Sequence, residues 1–157
     1  MLDNFYQALY LNRITKITKR MPPMLLTKEC DYSLRIMRVL SDENIKTVKA
    51  ICDLEHIPHM YAYKILKKLQ NAGLVQNKLG PGGGYHLIRP LNSFTLYDVI
   101  SAVDDNLFLF ECLRDDKQCP NNGKDTQCNV HKELVRLQNS LVSEMKSKTM
   151  EAVLSQI

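Results

Sequence analysis

The sequence of 157 residues lacks any apolar run of about 18 residues, the length that a membrane-spanning helix needs. It also lacks the layout of a secretory signal, because Arg13, Lys16 and Lys19 follow the first apolar stretch instead of preceding it. Neither a Ser-His-Asp-like pattern nor a cofactor fingerprint is present. These absences argue against a membrane protein, a secreted protein and an enzyme with a small-molecule substrate.

Cysteine is present in an odd number, five, which does not suit a disulfide framework in a chain without a secretory signal. The sequence therefore predicts a reducing, cytoplasmic setting in which cysteines act as thiols or metal ligands. Cys30 and Cys52 fall within predicted helices and are expected to be small core residues.

The stretch of residues 57–87 predicts a basic helix followed by a two-stranded hairpin. Pro58 suits a first helical position, and Gly73 stands where a helix end needs a positive φ, so we expect the next residues to enter a strand. The glycines of residues 80–84 then reverse the chain; they precede a strand instead of opening a helix, which excludes a phosphate-binding P-loop. The predicted buried face of the helix is Tyr61, Ile65, Leu66 and Leu69.

A basic helix, a tight turn and a hairpin in this order are typical of a winged helix-turn-helix, whose helix enters the DNA major groove while the hairpin touches backbone or minor groove. A lysine-bearing helix face is usually only solvated and glycine-rich turns are common, so the order of the parts carries the interpretation. The net charge of +4 permits nucleic-acid binding without requiring it.

Three further helices are predicted around this stretch, at residues 27–40 with Thr27 as N-cap, at 47–55 and at 95–104. Their predicted buried residues are Tyr32, Ile36, Val39 and Leu40; Val48, Ile51 and Cys52; and Leu96, Val99, Ile100 and Val103.

Several separated motifs resemble those of one family of bacterial winged-helix transcriptional regulators, the family that contains IscR, NsrR and the cysteine-metabolism repressor CymR. The motifs are MLLTK at 24–28, YSLR at 32–35, AGLV at 72–75, GPGGGY at 80–85 and LYDVISAV at 96–103. The resemblance extends from residue 24 to about the C-terminus. It implies a homodimer that binds double-stranded promoter DNA, with repression favoured over activation.

The resemblance also implies which residues contact DNA. Met60, Tyr61 and Tyr63 would face base edges, and Gly82 and Gly83 would lie in the wing. The implied phosphate contacts are Lys64, Lys67, Lys68 and Lys78. Tyr63 and Leu79 stand where IscR-like proteins carry glutamate and arginine, so no operator sequence is transferred to this chain.

Residues 115–128 contain no aliphatic or aromatic side chain that could offset the entropy lost on ordering them. Cys112, Cys119, Cys128 and His131 surround this stretch with the spacing C-x6-C-x8-C-x2-H. Thiolates clustered in a polar loop are what zinc or an iron–sulfur cluster requires, and the spacing alone does not choose between them.

The resemblance implies an iron–sulfur cluster on these three cysteines, although both gaps are longer here than in IscR and NsrR. His131 as the fourth ligand favours an IscR-like [2Fe-2S] cluster, while Asp31 of the partner subunit matches the position of an NsrR-like carboxylate on a [4Fe-4S] cluster. A Cys3His zinc site and a metal-free thiol loop that senses oxidants remain as alternatives.

From Asn129 the sequence predicts a long helix with an apolar seam formed by Val130, Leu134, Leu137, Leu141 and Met145. The seam suits either packing on its own domain or, as the resemblance implies, a second subunit. The predicted organisation is an N-terminal extension (1–23), a winged helix-turn-helix domain (24–105), a cysteine-rich cluster-binding loop (106–131) and a dimerisation helix (129–157). The extension is interpreted as dispensable, or alternatively as an amphipathic arm. Together these predictions describe a mainly α protein with a small β-hairpin wing, which regulates transcription by sensing redox state, nitric oxide or iron–sulfur status.

Overall fold

The computed structural model describes residues 26–114, 119, 121 and 128–155, so the predicted extension at residues 1–23 lies outside the described residues. The described helices are α1 (Lys28–Val39), α2 (Val48–Glu55), α3 (His59–Asn71), α4 (Leu96–Val103), α5 (Asn129–Ser147) and α6 (Met150–Leu154). Strands β1 (Val75–Lys78) and β2 (Gly84–Leu87) form an antiparallel pair. Short 3-10 helices cover Leu40–Asp42, Leu91–Ser93 and Glu111–Leu113. The predicted fold class, mainly helical with a hairpin wing, is confirmed. None of the described helices combines the length and apolar character needed to cross a membrane.

Helices α1 to α4 pack around one hydrophobic core. The predicted roles of Cys30 and Cys52 as small core residues are confirmed, because both are buried. On α1 the buried face is rotated from the predicted one: Tyr32 and Val39 are only half-buried, and Cys30, Ser33 and Met37 are buried with Ile36. Val48 and Leu96, which were also predicted to be buried, are half-buried. The fully buried side chains of largest volume are Phe94, Ile36, Met37, Leu40, Ile51, Ile65, Leu66, Leu69, Leu74, Ile100, Met150 and Val75.

Side-chain caps fix where two of these helices begin. The Thr47 hydroxyl accepts a hydrogen bond from the Ala50 amide at 3.1 Å and starts α2. Thr95 and Asp98 form a reciprocal capping box at the start of α4, which satisfies two amides that would otherwise lack partners. Thr27 is the N-cap residue of α1 as predicted, but its hydroxyl lies 3.3 Å from the Cys30 sulfur and caps no backbone amide.

Helix α3 buries Ala62, Ile65, Leu66 and Leu69. The prediction that Tyr61 belongs to this buried face is wrong, because Tyr61 is exposed and Ala62 takes the inward position. Tyr61 instead packs edge-on against Tyr32 of α1, with ring centroids 5.6 Å apart. Pro58 is the N-cap residue and His59 the first helical residue, one position later than predicted.

The hairpin follows α3 as predicted. Gly73 has a φ of +70°, which ends the helix, and Val75 then pairs with Leu87 at the base of the hairpin. Two backbone hydrogen bonds join Lys46 and Tyr85, at 2.9 and 2.8 Å, and attach β2 to the segment between α1 and α2. Gly84 is required at this contact because a Cβ there would overlap the Lys46 carbonyl.

The long helix predicted from Asn129 begins at that residue but ends at Ser147. Thr149 then caps α6, whose first residue, Met150, donates its backbone N–H to the carbonyl oxygen of Phe94 at 2.9 Å. Met150 is fully buried, so the C-terminal segment docks on the winged-helix part of the same chain. The predicted seam is thereby divided: Met145 and Leu141 pack against the core, whereas Val130 and Leu137 are exposed.

Candidate nucleic-acid interface and cysteine segment

The outward face of α3 carries Met60, Tyr63, Lys64 and Lys67, which lie at positions i, i+3, i+4 and i+7. The buried residues of the same helix follow the same spacing shifted by two positions, so they point in the opposite direction. Met60 is 87% exposed and Tyr63 is 56% exposed, high values for apolar side chains. An exposed surface with large side chains at its centre and ammonium groups beside them suits contact with a polyanion.

The wing lies on the C-terminal side of α3. Lys78 ends β1, and Leu79 at the tip is 85% exposed. Gly83 closes the turn by donating its N–H to the Gly80 carbonyl oxygen at 2.9 Å. A Cβ at Gly83 would overlap the Lys78 carbonyl, so the turn requires glycine there. The tip therefore presents Lys78, the exposed Leu79 and, at Gly82 and Gly83, backbone without side chains.

Glu29 of α1 pairs with two of the lysines that the sequence assigned to DNA. The Lys64 ammonium donates to Glu29 Oε1 at 2.5 Å, and the Lys68 ammonium donates to Glu29 Oε2 at 2.7 Å. Hydrogen bonds from Lys64 and then Lys68 lower the pKa of the Glu29 carboxyl, and the same pairing raises the pKa of Lys64. No local spacing in the sequence signals this contact, because it joins residues that are far apart in the chain.

Lys68 is the most restrained of the basic residues on α3. It also donates to the Val103 carbonyl oxygen at 2.6 Å, so its ammonium joins α1, α3 and the C-terminus of α4. Lys67 on the preceding position is exposed and forms no ion pair within the described part of the chain. The basic side chains predicted to contact phosphate are therefore in unequal states: Lys67 and Lys78 are exposed, Lys64 is paired, and Lys68 has two acceptors.

The cysteine segment is the predicted cluster-binding loop at residues 106–131. After α4 the chain enters this segment and packs against α5. The Gln138 side chain accepts from the Leu109 amide at 2.9 Å and donates to the Leu107 carbonyl oxygen at 2.7 Å. The adjoining 3-10 helix, which contains Cys112, packs against α5. Asp104, just after α4, accepts from the Cys30 thiol at 3.7 Å and from the Asn106 amide at 2.9 Å. This segment thus connects the end of α4 to α5.

The three predicted thiol ligands are all partly exposed, and none forms a disulfide. Cys128 is the N-cap residue of α5 and His131 lies one helical turn further on, so both are near the start of the same helix. The Nδ1 atom of His131 is buried and, like that of His86 on β2, has no hydrogen-bond partner in the described part of the chain. A buried nitrogen without a partner is costly, and metal ligation is one way to satisfy it.

The donor chemistry of this segment fits a thiolate-bound metal group, since it offers three thiols and one orphaned imidazole nitrogen. Among the described residues, however, no three His, Cys, Asp or Glu side chains gather closely enough to hold a metal ion. Cys128 and His131 therefore lie together at the start of α5, but the described residues form no assembled ligand group.

Asp31, the alternative fourth ligand, lies on α1 and pairs with Arg35 at 2.9 Å. It lines a surface cavity of about 480 Å³ between α1, α4 and α6. No other candidate ligand lines this cavity. Asp31 is thus paired with Arg35, and no described cysteine lines the cavity beside it.

Comparison with known proteins agrees with this architecture. Residues 26–156 match the Rrf2 family model, described as an iron-dependent transcriptional regulator. The relatives include Protein aau3 from Rhizobium meliloti, 32% identical over 57% of this chain and 59% of its own length, and the HTH-type transcriptional regulator NsrR of Shouchella clausii, 30% identical over 57% and 62%. The HTH-type transcriptional regulator IscR of Vibrio parahaemolyticus is 33% identical over 57% of this chain and 55% of its own length. The matched part thus spans about three fifths of the length of these relatives.

Solved structures share the fold at lower identity. CymR, the global cysteine regulator of B. subtilis, has a TM-score of 0.68 at 21% identity and covers 84% of this chain and 97% of its own. IscR of T. potens has a TM-score of 0.65 at 20% identity and covers 85% and 88%. An exposed helix-and-wing surface, a core of four helices and a family match over nearly the whole described chain agree with one another. The chain belongs to the Rrf2 family of transcriptional regulators, and its fold is a winged helix.

Proposed function

We propose that this regulator binds promoter DNA as a homodimer under the control of an iron–sulfur cluster held by Cys112, Cys119, Cys128 and His131. The observation that carries the proposal is the position of His131 one turn from Cys128 at the start of α5, together with the lack of a hydrogen-bond partner for its buried Nδ1 among the described residues. The family description as iron-dependent and the likeness to IscR and NsrR support it. A [2Fe-2S] cluster is favoured, because His131 is in the same chain as the thiols.

A series of hydrogen bonds from α5 through α4 to α3 suggests how the cysteine segment could control DNA binding. Gln138 holds residues 107–109 on α5, and these residues continue directly from α4, whose last carbonyl accepts from Lys68 of α3. When bound, an iron–sulfur cluster supplies a redox-active connection among thiolates on either side of the segment. We infer that the position of Cys112 relative to α5 biases the position of α3, which changes the population of molecules able to fit an operator.

The second subunit is proposed to pack on the N-terminal half of α5. Val130 is 67% exposed there, and Val135 and Leu137 are exposed on the same half of the helix. Apolar side chains grouped on one helix are costly to leave in water and suit a self-complementary contact. A two-fold dimer would present two α3 helices to two half-sites of a palindromic operator.

On DNA, we propose that Met60, Tyr61 and Tyr63 meet base edges in the major groove. Lys67 and Lys78 contact phosphates directly, and Lys64 and Lys68 face the same backbone while paired to Glu29. Gly82 and Gly83 let the wing approach the sugar-phosphate backbone closely. The assignment is supported for Met60, Tyr63, Lys64 and Lys67 by their shared outward face on α3.

Anaerobic purification tests the cofactor. We expect brown protein that absorbs visible light and contains iron and acid-labile sulfide, and we expect Cys112→Ser, Cys119→Ser and Cys128→Ser each to lose the colour. The matched control is Cys52→Ser, a buried cysteine that should leave the iron content unchanged. Replacement of His131 and of Asp31 separately identifies the fourth ligand, since only the ligand's loss should change the visible spectrum.

A second candidate is a regulator whose cysteines bind structural zinc, or bind no cluster and sense oxidants through their thiols. It is favoured by the partial exposure of all three thiols and by the lack of an assembled ligand group in the described part of the chain. Colourless protein with stoichiometric zinc, or metal-free protein whose DNA binding responds to oxidant through these cysteines, would support this candidate and contradict the cluster proposal.

A further inference from the structure

The Glu29 carboxylate lies between two lysines of α3. Its two carboxylate oxygens accept separately from Lys64 at 2.5 Å and from Lys68 at 2.7 Å. The Glu29 side chain is only 17% exposed, while that of Lys64 is 58% exposed. The carboxylate is thus covered by the ammonium groups, one of which still faces the solvent on the proposed DNA side.

We propose that Glu29 is an internal competitor for DNA phosphate, and that it sets how tightly the chain holds DNA of any sequence. The inference rests on the proposed function, because it requires α3 to be the helix that meets DNA. An anionic carboxylate next to Lys64 lowers the local positive potential, and it repels a phosphate that approaches the same ammonium group. Glu29 therefore weakens the sequence-independent part of binding, which depends on neutralising phosphates.

The exchange is possible because the pair with Lys64 lies at the surface. Ion pairs between partly exposed groups contribute little net stability, so a phosphate can replace the carboxylate without disrupting the fold. Lys68 differs, because the Val103 carbonyl oxygen at 2.6 Å holds its ammonium as well. A phosphate can therefore replace Glu29 as the partner of Lys64, whereas Lys68 keeps its hydrogen bond to α4.

Among the described residues, Glu29 is the one carboxylate that pairs with lysines of α3. Arg38 and Glu55 also form a bidentate pair, at 2.9 and 2.5 Å, but they join α1 to α2 and involve no residue of α3. Lys67, on the same outward face as Lys64, has no carboxylate partner among the described residues. Release of Lys64 would therefore add a cation beside one that is already exposed.

The test measures binding of the full-length chain to a random-sequence DNA duplex over a series of salt concentrations. Glu29→Gln removes the charge but keeps the size of the side chain. We expect it to steepen the slope of log K against log[salt] by about 0.9, the contribution of one additional phosphate contact, and to tighten binding about fivefold at physiological salt. Glu144→Gln is the matched control, because it changes the net charge equally at an exposed position of α5.

A double variant identifies the lysine involved. Lys64→Ala should have little effect on the salt slope in the parent chain, where Glu29 holds the ammonium, but should abolish the gain in the Glu29→Gln background. Thermal unfolding and far-UV circular dichroism establish that each variant is folded. Glu29→Asp, whose shorter side chain cannot reach both lysines equally well, is expected to give a smaller change of the same sign.

The possible failures are distinguishable. If Glu29→Gln binds DNA no more tightly than Glu144→Gln while Lys67→Ala still weakens binding, the competitor role of Glu29 is overturned and the DNA face of α3 stands. An equal loss of slope from Lys64→Ala in both backgrounds would also overturn it, because Lys64 would then already contact phosphate. A chain in which neither Lys67→Ala nor Lys78→Ala alters DNA binding overturns both the competitor role and the proposed function.

Discussion

The winged-helix part, residues 26–103, and the cysteine segment with the start of α5 are stabilised in different ways. Among the described residues, every buried apolar side chain lies in the first region except Met145 and Met150. The second region instead has partly exposed thiols and the exposed Val130 and Leu137. The first region contains nearly all of the core, to which Met145 and Met150 also contribute, whereas the second presents groups that a metal group or a second subunit would contact.

The largest expected contrast comes from removing the same atoms in each region. Leu66→Ala should lower the free energy of unfolding by about 2–5 kcal/mol, because it leaves a cavity at a fully buried site. Leu137→Ala should lower it by less than about 1 kcal/mol, since that side chain is already 40% exposed. Urea unfolding measures both, and sedimentation should show weaker self-association only for Leu137→Ala. Equal losses of stability would mean that the two regions share one core.

A smaller contrast is expected in DNA binding. Lys67→Ala on α3 should flatten the salt slope by about 0.9 and weaken binding to all sequences, whereas Lys132→Ala on α5 makes the same change in net charge and should leave the slope unaltered. Fluorescence anisotropy with a labelled duplex measures both. An equal effect of the two substitutions would show that net charge, and not the α3 face, controls binding.

The smallest effect is expected from pH. Lys64 and Lys68 hold the pKa of Glu29 below its usual range, so their pairing stabilises the folded chain above the ordinary pKa of glutamate, about 4.3, and this stabilisation is lost as pH falls through the lowered value. The parent chain and Glu29→Gln should therefore differ slightly in urea midpoint near pH 7 and converge in acid. A difference that stays constant across the pH series would contradict the pairing.

Local signals predicted most of the winged-helix part. Gly73 and the glycine-rich turn have conformational requirements that other residues meet poorly, and Thr47 and Thr95 cap helices through neighbours three residues away. These features depend on short stretches of chain, so the sequence contains the needed information. The buried positions Ile65, Leu66 and Leu69 of α3 followed in the same way from helical spacing, whereas the residues assigned to DNA came from the family resemblance.

Other features depend on contacts between distant residues. Tyr61 was placed in the core because it fits the spacing of Ile65 and Leu69, but it lies at the edge of that face, and Tyr32 of α1 holds it outside. The pairing of Glu29 with Lys64 and Lys68 joins residues 35 and 39 positions apart. The end of α5 at Ser147 depends on Phe94, whose carbonyl accepts from Met150. The cysteine ligands were chosen by residue chemistry, and their assembly stays a prediction.

The two hydrogen bonds between Lys46 and Tyr85 fix the position of the wing relative to the segment between α1 and α2. Both bonds are made by backbone atoms, so no side-chain substitution at these positions removes them directly, and they keep the wing from swinging as a hinge. The distance from α3 to the base of the wing is therefore expected to stay constant. If α3 and the wing contact DNA as proposed, changes of side chains on α3 would alter which bases are read, while the length of DNA contacted by one subunit would stay the same.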